Sequence, residues 1–228
     1  PLNIIACENT IGGSDQIKQD LWDQLTSEEK EFISQTVGFP NSAVDRIVPN
    51  QKNEDPLWVK VEPFYEWVID QSQMKGQLDI ESVHFVQDLE AYIERKLFTV
   101  NTGHASCAYI AYAKGYQTIR EAIADHEIEH QVRAVLAETG ALLVKKHGFN
   151  ALDHQAYIDK TIERFKNPAI VDEVTRVARS PLRKLSRQDR FIRPLVECLE
   201  YNLSAKNIKL MILSILKYDY DQDSEALK

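Results

Sequence analysis

Hydrophobic positions change their spacing along this chain, and the change divides it. In the carboxyl half, Ile128, Val132, Val135, Leu136 and Thr139 recur at helical intervals. They fall within about 100° of one another on a helical wheel and make a core-facing stripe. Long helical segments run from about Val83 onward, broken at Gly115, near Gly148, near Asn167-Pro168 and at Pro181. Toward the amino end the spacing shortens. Asn3 to Cys7 is a short apolar run of the kind that forms a buried strand. Leu57, Val59 and Val61 alternate with Trp58 and Lys60, and Phe64 to Ile69 is rich in β-formers. Short helices are interleaved. Gly12-Gly13-Ser14 leads into one from Asp15 with Ser14 as its cap, and Ser27 caps another with Glu28 and Glu29 at its positive end. The predicted fold class is mainly α with an α/β amino-terminal portion, divided near residue 85 into 1–85 and 86–228. The acidic stretch after Tyr218 is expected to be a solvated linker or a frayed end.

Composition narrows the function classes. The chain has 228 residues and 43% hydrophobic content, enough for an ordinary core. No apolar run approaches the roughly 20 residues of a membrane span, since Leu210 to Leu216 is interrupted by Ser214. The three cysteines, Cys7, Cys107 and Cys198, are odd in number and lack C-x-x-C spacing, against a disulfide framework or a cysteine zinc site. A cytoplasmic location is expected. The net charge of −8 disfavours nucleic acid and acidic membrane surfaces, so any bound anion must meet a local cationic cluster. The first residues form no secretory leader and include no initiator methionine. A buried strand at the very start needs neighbours, so preceding chain is expected to be missing.

The sharpest chemical feature is Lys96-Leu97-Phe98-Thr99-Val100-Asn101-Thr102-Gly103-His104. At about 100° per residue, Asn101 lies about 140° and His104 about 80° around an α-helix from Lys96, so the three share one half of its surface. Leu97, Phe98 and Val100 predict a largely buried helix, and small residues from Gly103 to Ala108 let a backbone or ligand approach closely. A lysine beside a buried face has a depressed pKa and exchanges protons near neutrality. A carboxamide stabilises developing negative charge on a carbonyl oxygen without taking its proton. The same string also suits a snorkelling lysine, a turn asparagine and a hydrogen-bonded core histidine.

The surroundings add weight. Asn3 to Asn9, Ser42-Ala43-Val44-Asp45-Arg46-Ile47-Val48-Pro49, the lysine helix, Arg164-Phe165-Lys166-Asn167-Pro168 and Pro181 to Ser186 occur in that order. Together they resemble the polyol-specific long-chain dehydrogenase/reductase family over essentially the whole chain. The resemblance implies a zinc-independent NAD oxidoreductase, with the remnant of a Rossmann-type domain followed by a helical catalytic and substrate domain. It implies that Lys96 is the general acid/base, that Asn101 and Asn9 hold the reacting oxygen, and that His104 orients the substrate. Asp45 resembles the family's polyol-contacting aspartate, and Arg176 and Lys184 its substrate-pocket cations. A local Asp45–Arg46 ion pair and a strand-end turn at Asn9 are the structural alternatives.

Between Arg176 and Arg193 stand Arg176, Arg179, Arg183, Lys184, Arg187, Arg190 and Arg193, with Asp189 the only acid. Arginine forks suit phosphate, so the cluster favours a sugar phosphate over a neutral polyol, although charge runs are often solvated faces. Similarity to the phosphate-specific members gives D-mannitol 1-phosphate and fructose 6-phosphate as the expected pair, with mannitol/fructose or fructuronate as alternatives. A monomer or weak dimer is expected. Gly12-Gly13 is too short for a dinucleotide fingerprint, so the main NAD site is expected outside this chain and the chain alone inactive. Two other classes are a non-catalytic fragment and a zinc hydrolase using His126-Glu127-Ile128-Glu129-His130, a literal H-E-x-x-H. Relative to the Ile128 stripe, both histidines sit about 160° away, on the face toward water, and no metal is expected.

Overall fold

The amino-terminal strand is much shorter than its apolar run. In a computed structural model that describes residues 1–8, 10–48 and 51–226, β1 (Leu2–Asn3) pairs in parallel with β2 (Val37–Gly38). Between them run α1 (Gly13–Trp22) and α2 (Ser27–Thr36). Neither helix is capped where the sequence predicts. Gly12, at φ 70°, is the cap position of α1, while Ser14 is buried and its hydroxyl ties Ala6 N–H to the Pro40 carbonyl. Thr26 rather than Ser27 caps α2, in a reciprocal box with Glu29.

A three-stranded sheet follows: β3 (Ser42–Asp45) is antiparallel to β4 (Glu66–Asp70), which is parallel to β5 (Val83–Val86). Val68 and Ile69 on the central strand are fully buried. Leu57, Val59 and Val61 form no strand. Leu57 and Val59 are 89% and 54% exposed, because alternation alone supplies no ladder partner among the described residues.

The chain divides into two compact units, Pro1–Ile47 with Val61–Ile93, and Val48–Lys60 with Glu94–Lys228. In the second unit helices dominate. After α3 (Glu90–Arg95) come a π-helix (Lys96–Asn101), α4 (Thr102–Lys114), α5 (Ile119–Ile123), α6 (His126–His147) and α7 (Ala151–Phe165). Then follow α8 (Val174–Ala178), α9 (Pro181–Lys184), α10 (Ile192–Glu200) and α11 (Lys206–Ile215). Helix α4 is central and almost wholly buried from Thr102 to Ala111, and the predicted α6 stripe packs inward. Glycines at positive φ end α4 at Gly115 and α6 at Gly148, where a side chain would be strained.

As far as residue 226 the acidic tail is docked and is not a solvated linker or a frayed end. Tyr218 is buried edge-on against Tyr109, and the Asp223 carboxylate accepts the Ser180 N–H at 2.9 Å. The Glu225 carboxylate likewise accepts the Arg183 N–H. These acids serve as acceptors for the backbone around α9, which explains a polar sequence in a docked segment.

Candidate active site

Lys96, Asn101 and His104 lie on a helix whose first part is wound more widely than α. Across Lys96–Asn101 the backbone bonds run i to i+5, as in Thr102 N–H to the Leu97 carbonyl. The Thr102 hydroxyl donates to that same carbonyl at 2.8 Å. The α geometry expected from the sequence therefore fails locally. The wider turn brings Asn101 nearer to Lys96 around the axis than α spacing would. Leu97, Phe98, Thr99 and Val100 are buried, while Lys96, Asn101 and His104 are only partly so. Where the chain resumes as α4, Gly103 has no room for a side chain. An added Cβ would stand 3.1 Å from Leu136 Cδ1 and 3.3 Å from Phe165 Cε2.

His104 is fixed from two sides. Its ring stacks on Phe165 with centroids 4.9 Å apart, and Nε2 meets the Asp172 carboxylate at 3.2 Å. Asp172 is 3% exposed and its other oxygen binds Arg176. Desolvation and the charges of Arg176, Arg190, Arg164 and Lys184 push the His104 pKa down to about 3. The side chain keeps 21% of its surface exposed, so solvent screens part of this. The direction is what matters: the ring is neutral.

The basic run divides. The charges of Arg176, Lys184 and Arg190 act on His104, joined by that of Arg164 from α7. Arg190 pairs with Asp189 and reaches the Asn101 carbonyl at 3.5 Å. Lys184 is 3% exposed, donates to the Arg179 carbonyl and lies over the Tyr109 ring. Desolvation, with Arg190 and Arg183 beside it, pushes its pKa down to about 7. Arg183 is 55% exposed and pairs with Asp189 at 3.2 Å, and Arg179 and Arg187 are exposed. Arg193 faces away from this group into a buried network with Glu94, Lys146 and Glu197. The cluster is thus not one continuous surface. Desolvation opposes ionisation of fully buried Glu94, yet bonds from Lys146 and His147 and the charge of Arg193 hold its carboxyl below the ordinary range.

Asp45 belongs to the first unit, buried at the end of β3. The expected Arg46 alternative goes elsewhere: its guanidinium donates to the Glu62 carbonyl and covers Tyr65. Asn9 lies outside the described residues. His126 and His130 are exposed on α6, and Glu127 between them pairs with Lys114 at 2.6 Å. Among the described residues no three metal-ligating side chains converge.

Sequence reasoning missed Asp172, Arg164 and Arg190 as neighbours of His104. Asp172 carried a usable signal, an acid four residues before Arg176 that directly follows the apolar Ala169-Ile170-Val171.

Comparison with known proteins places both parts of the chain in one family. The mannitol dehydrogenase Rossmann domain matches residues 1–82, and the mannitol dehydrogenase C-terminal domain matches residues 88–228. The chain belongs to the mannitol dehydrogenase family. Among curated family members, mannitol-1-phosphate 5-dehydrogenase of Bacillus subtilis is 54% identical over 228 residues, covering 100% of this chain and 60% of the relative. That of Brevibacillus brevis is 49% identical over 229 residues, covering 100% of this chain and 59% of the relative. The chain thus spans about 60% of the length of these relatives. Two crystal structures share the fold. D-sorbitol dehydrogenase in substrate-free form gives a TM-score of 0.78 at 21% identity, over 99% of this chain and 49% of that one. Pseudomonas fluorescens mannitol 2-dehydrogenase, in a ternary complex with NAD and D-mannitol, gives 0.71 at 22%, over the same shares.

Proposed function

We propose that the whole protein to which this chain belongs interconverts D-mannitol 1-phosphate and D-fructose 6-phosphate with NAD(H), Lys96 acting as general acid/base. The observation that carries this reading is the π-helical turn that bears both Lys96 and Asn101, followed by a His104 that lies within the charge of Arg164, Arg176, Lys184 and Arg190. An amine and a carboxamide on one turn suit an oxygen that alternates between hydroxyl and carbonyl. In polyol oxidation, neutral Lys96 accepts the carbinol proton and Asn101 donates to the oxygen as charge develops on it. In ketose reduction Lys96 returns the proton. Arg176, Arg190 and Lys184 supply the charge that a phosphate ester requires, with Arg183 at the rim. The names of relatives 49–54% identical support the phosphate ester over a neutral polyol. The substrate-binding roles proposed for Asp45 and Asn9 rest on the family resemblance.

The residues present do not fit the phosphates of a dinucleotide. At the start of α1 the Ser14 and Asp15 N–H groups both point to the Asn41 side-chain oxygen, and the Asp15 carboxylate stands at the same end. A pyrophosphate needs those donors free and that charge absent. The hydride carrier is therefore assigned to the remainder of the whole protein, and the residues here bind, orient and move the proton.

The test is NADH oxidation by the whole protein offered fructose 6-phosphate, fructose and fructuronate. Turnover of fructose 6-phosphate alone is expected, with Lys96→Ala lowering kcat by about 10²–10⁴-fold and leaving NADH binding intact. No turnover of any of the three, with NADH demonstrably bound, overturns the reading.

A further inference from the structure

The Asp172 carboxylate joins two side chains from different elements, His104 on α4 and Arg176 on α8. Its own backbone is fixed independently. The Asp172 carbonyl accepts the Ile119 N–H at 2.9 Å, Thr118 bridges Glu173, and the Val174 N–H donates to the Gln117 carbonyl at 2.9 Å. A short antiparallel splice thus clamps Asp172 to the connection between α4 and α5. The buried carboxylate can only accept hydrogen bonds. One oxygen takes Arg176, and the other stands 3.2 Å from His104 Nε2, where it repels a lone pair and favours a proton on that nitrogen.

We propose that Asp172 is a positioning residue that fixes His104 as its Nε2–H tautomer, leaving Nδ1 to accept a hydrogen bond from a substrate hydroxyl. A neutral imidazole has one donor and one acceptor nitrogen, and a partner on one decides the role of the other. His104 thereby recognises an alcohol and not the reacting carbonyl, which falls to Lys96 and Asn101. This part of the inference rests on the proposed polyol chemistry, whereas the tautomer does not. Stacking on Phe165 sets the plane of the ring, and Asp172 sets its rotation within that plane.

Asp172→Asn makes the role visible. Arg176 must still find an oxygen, so the new amide turns its oxygen to Arg176 and its NH₂ to His104 Nε2. The ring proton is then driven to Nδ1, and His104 becomes a donor where it was an acceptor. In serine proteases the equivalent substitution leaves geometry intact and lowers kcat about 10⁴-fold by imposing the wrong tautomer. For an orienting histidine a loss of roughly 10–100-fold is expected.

The experiment is ¹⁵N NMR of the whole protein labelled at histidine, with His104→Gln assigning the signal, in parallel with steady-state kinetics. We expect an Nε2–H ring at His104 in the unaltered protein and an Nδ1–H ring in Asp172→Asn. We also expect kcat to fall with ketose while the KM for NADH is unchanged. In a His104→Gln background Asp172→Asn should cost less than threefold. An Nδ1–H or doubly protonated ring in the unaltered protein overturns the proposal without any variant having to fold. So does an unchanged tautomer in a folded Asp172→Asn protein, or an undiminished penalty in the His104→Gln background. Failure of the polyol reading would appear separately, as an unaffected Lys96→Ala enzyme with the tautomer still as proposed.

Discussion

Glu138 lies 7% exposed on α6, where a lone carboxylate would be costly. Its oxygens instead accept the N–H groups of Asn207 and Ile208, the Asn207 amide and the Ser204 hydroxyl, so they serve as the cap that α11 lacks in its own sequence. Glu138→Ala should leave these donors unmet and cost about 1–3 kcal/mol, read from urea unfolding. Lys184 makes a different prediction. The folded chain releases its proton at about pH 7, whereas an unfolded lysine holds it to about pH 10. Between those values the unfolded state binds more protons, so this residue makes stability rise with pH. The melting temperature of the unaltered protein, compared with that of Lys184→Met, should therefore gain between pH 7 and pH 9, and parallel curves would count against it. At this scale the sequence singles out Lys96, Asn101 and His104 as candidates, because they sit within nine residues. The Asp172–Arg176 pair was legible from its spacing, but the approach of Asp172 to His104 depends on how the segment before α8 packs on α4, which no local pattern encodes.

Elements were legible where periodicity or a breaker was strong. Helix ends at Gly115 and Gly148 follow from glycine at positive φ, and the α6 stripe is buried as its spacing predicts. The π-helical turn was not legible, since its apolar residues are equally compatible with α spacing and the extra residue per turn is decided by packing. Strands failed differently. The alternation around Trp58 found no pairing partner, and the apolar run after Asn3 gave only a two-residue ladder. Two predictions belong to packed elements. Gly103→Val should press on Leu136 and Phe165 and destabilise by about 1–3 kcal/mol. By shifting the ring beneath His104 it should also lower activity, a pairing checked by unfolding and kinetics on one preparation. Glu94→Gln should cost about 1–3 kcal/mol in urea unfolding, because Lys146 and Arg193, which tie α6 and α10 to the end of α3, would be left to share Glu197.

For the whole molecule, helical content dominates the carboxyl part as expected, while the compact units divide after Ile93 and give Val48–Lys60 to the second, an exchange of segments that hydrophobic spacing does not encode. Residues 1–228 alone should show no NADH binding by fluorescence at concentrations where the whole protein saturates, since Asn41 and Asp15 take the place of a phosphate at α1. The wide turn at Lys96–Asn101 reaches further than the candidate site. Most helices gain from regular α geometry, but here the departure from it is part of the chemistry. Loss of one residue from this segment would return it to α with the side chains from Asn101 onward nearly in their present phase, whereas relaxation into α with every residue kept would swing them by about 100° about the axis relative to Lys96. Stability and turnover would move in opposite directions on such a relaxation, so substitutions that favour plain α geometry at this one place should be filtered by catalysis and not by folding.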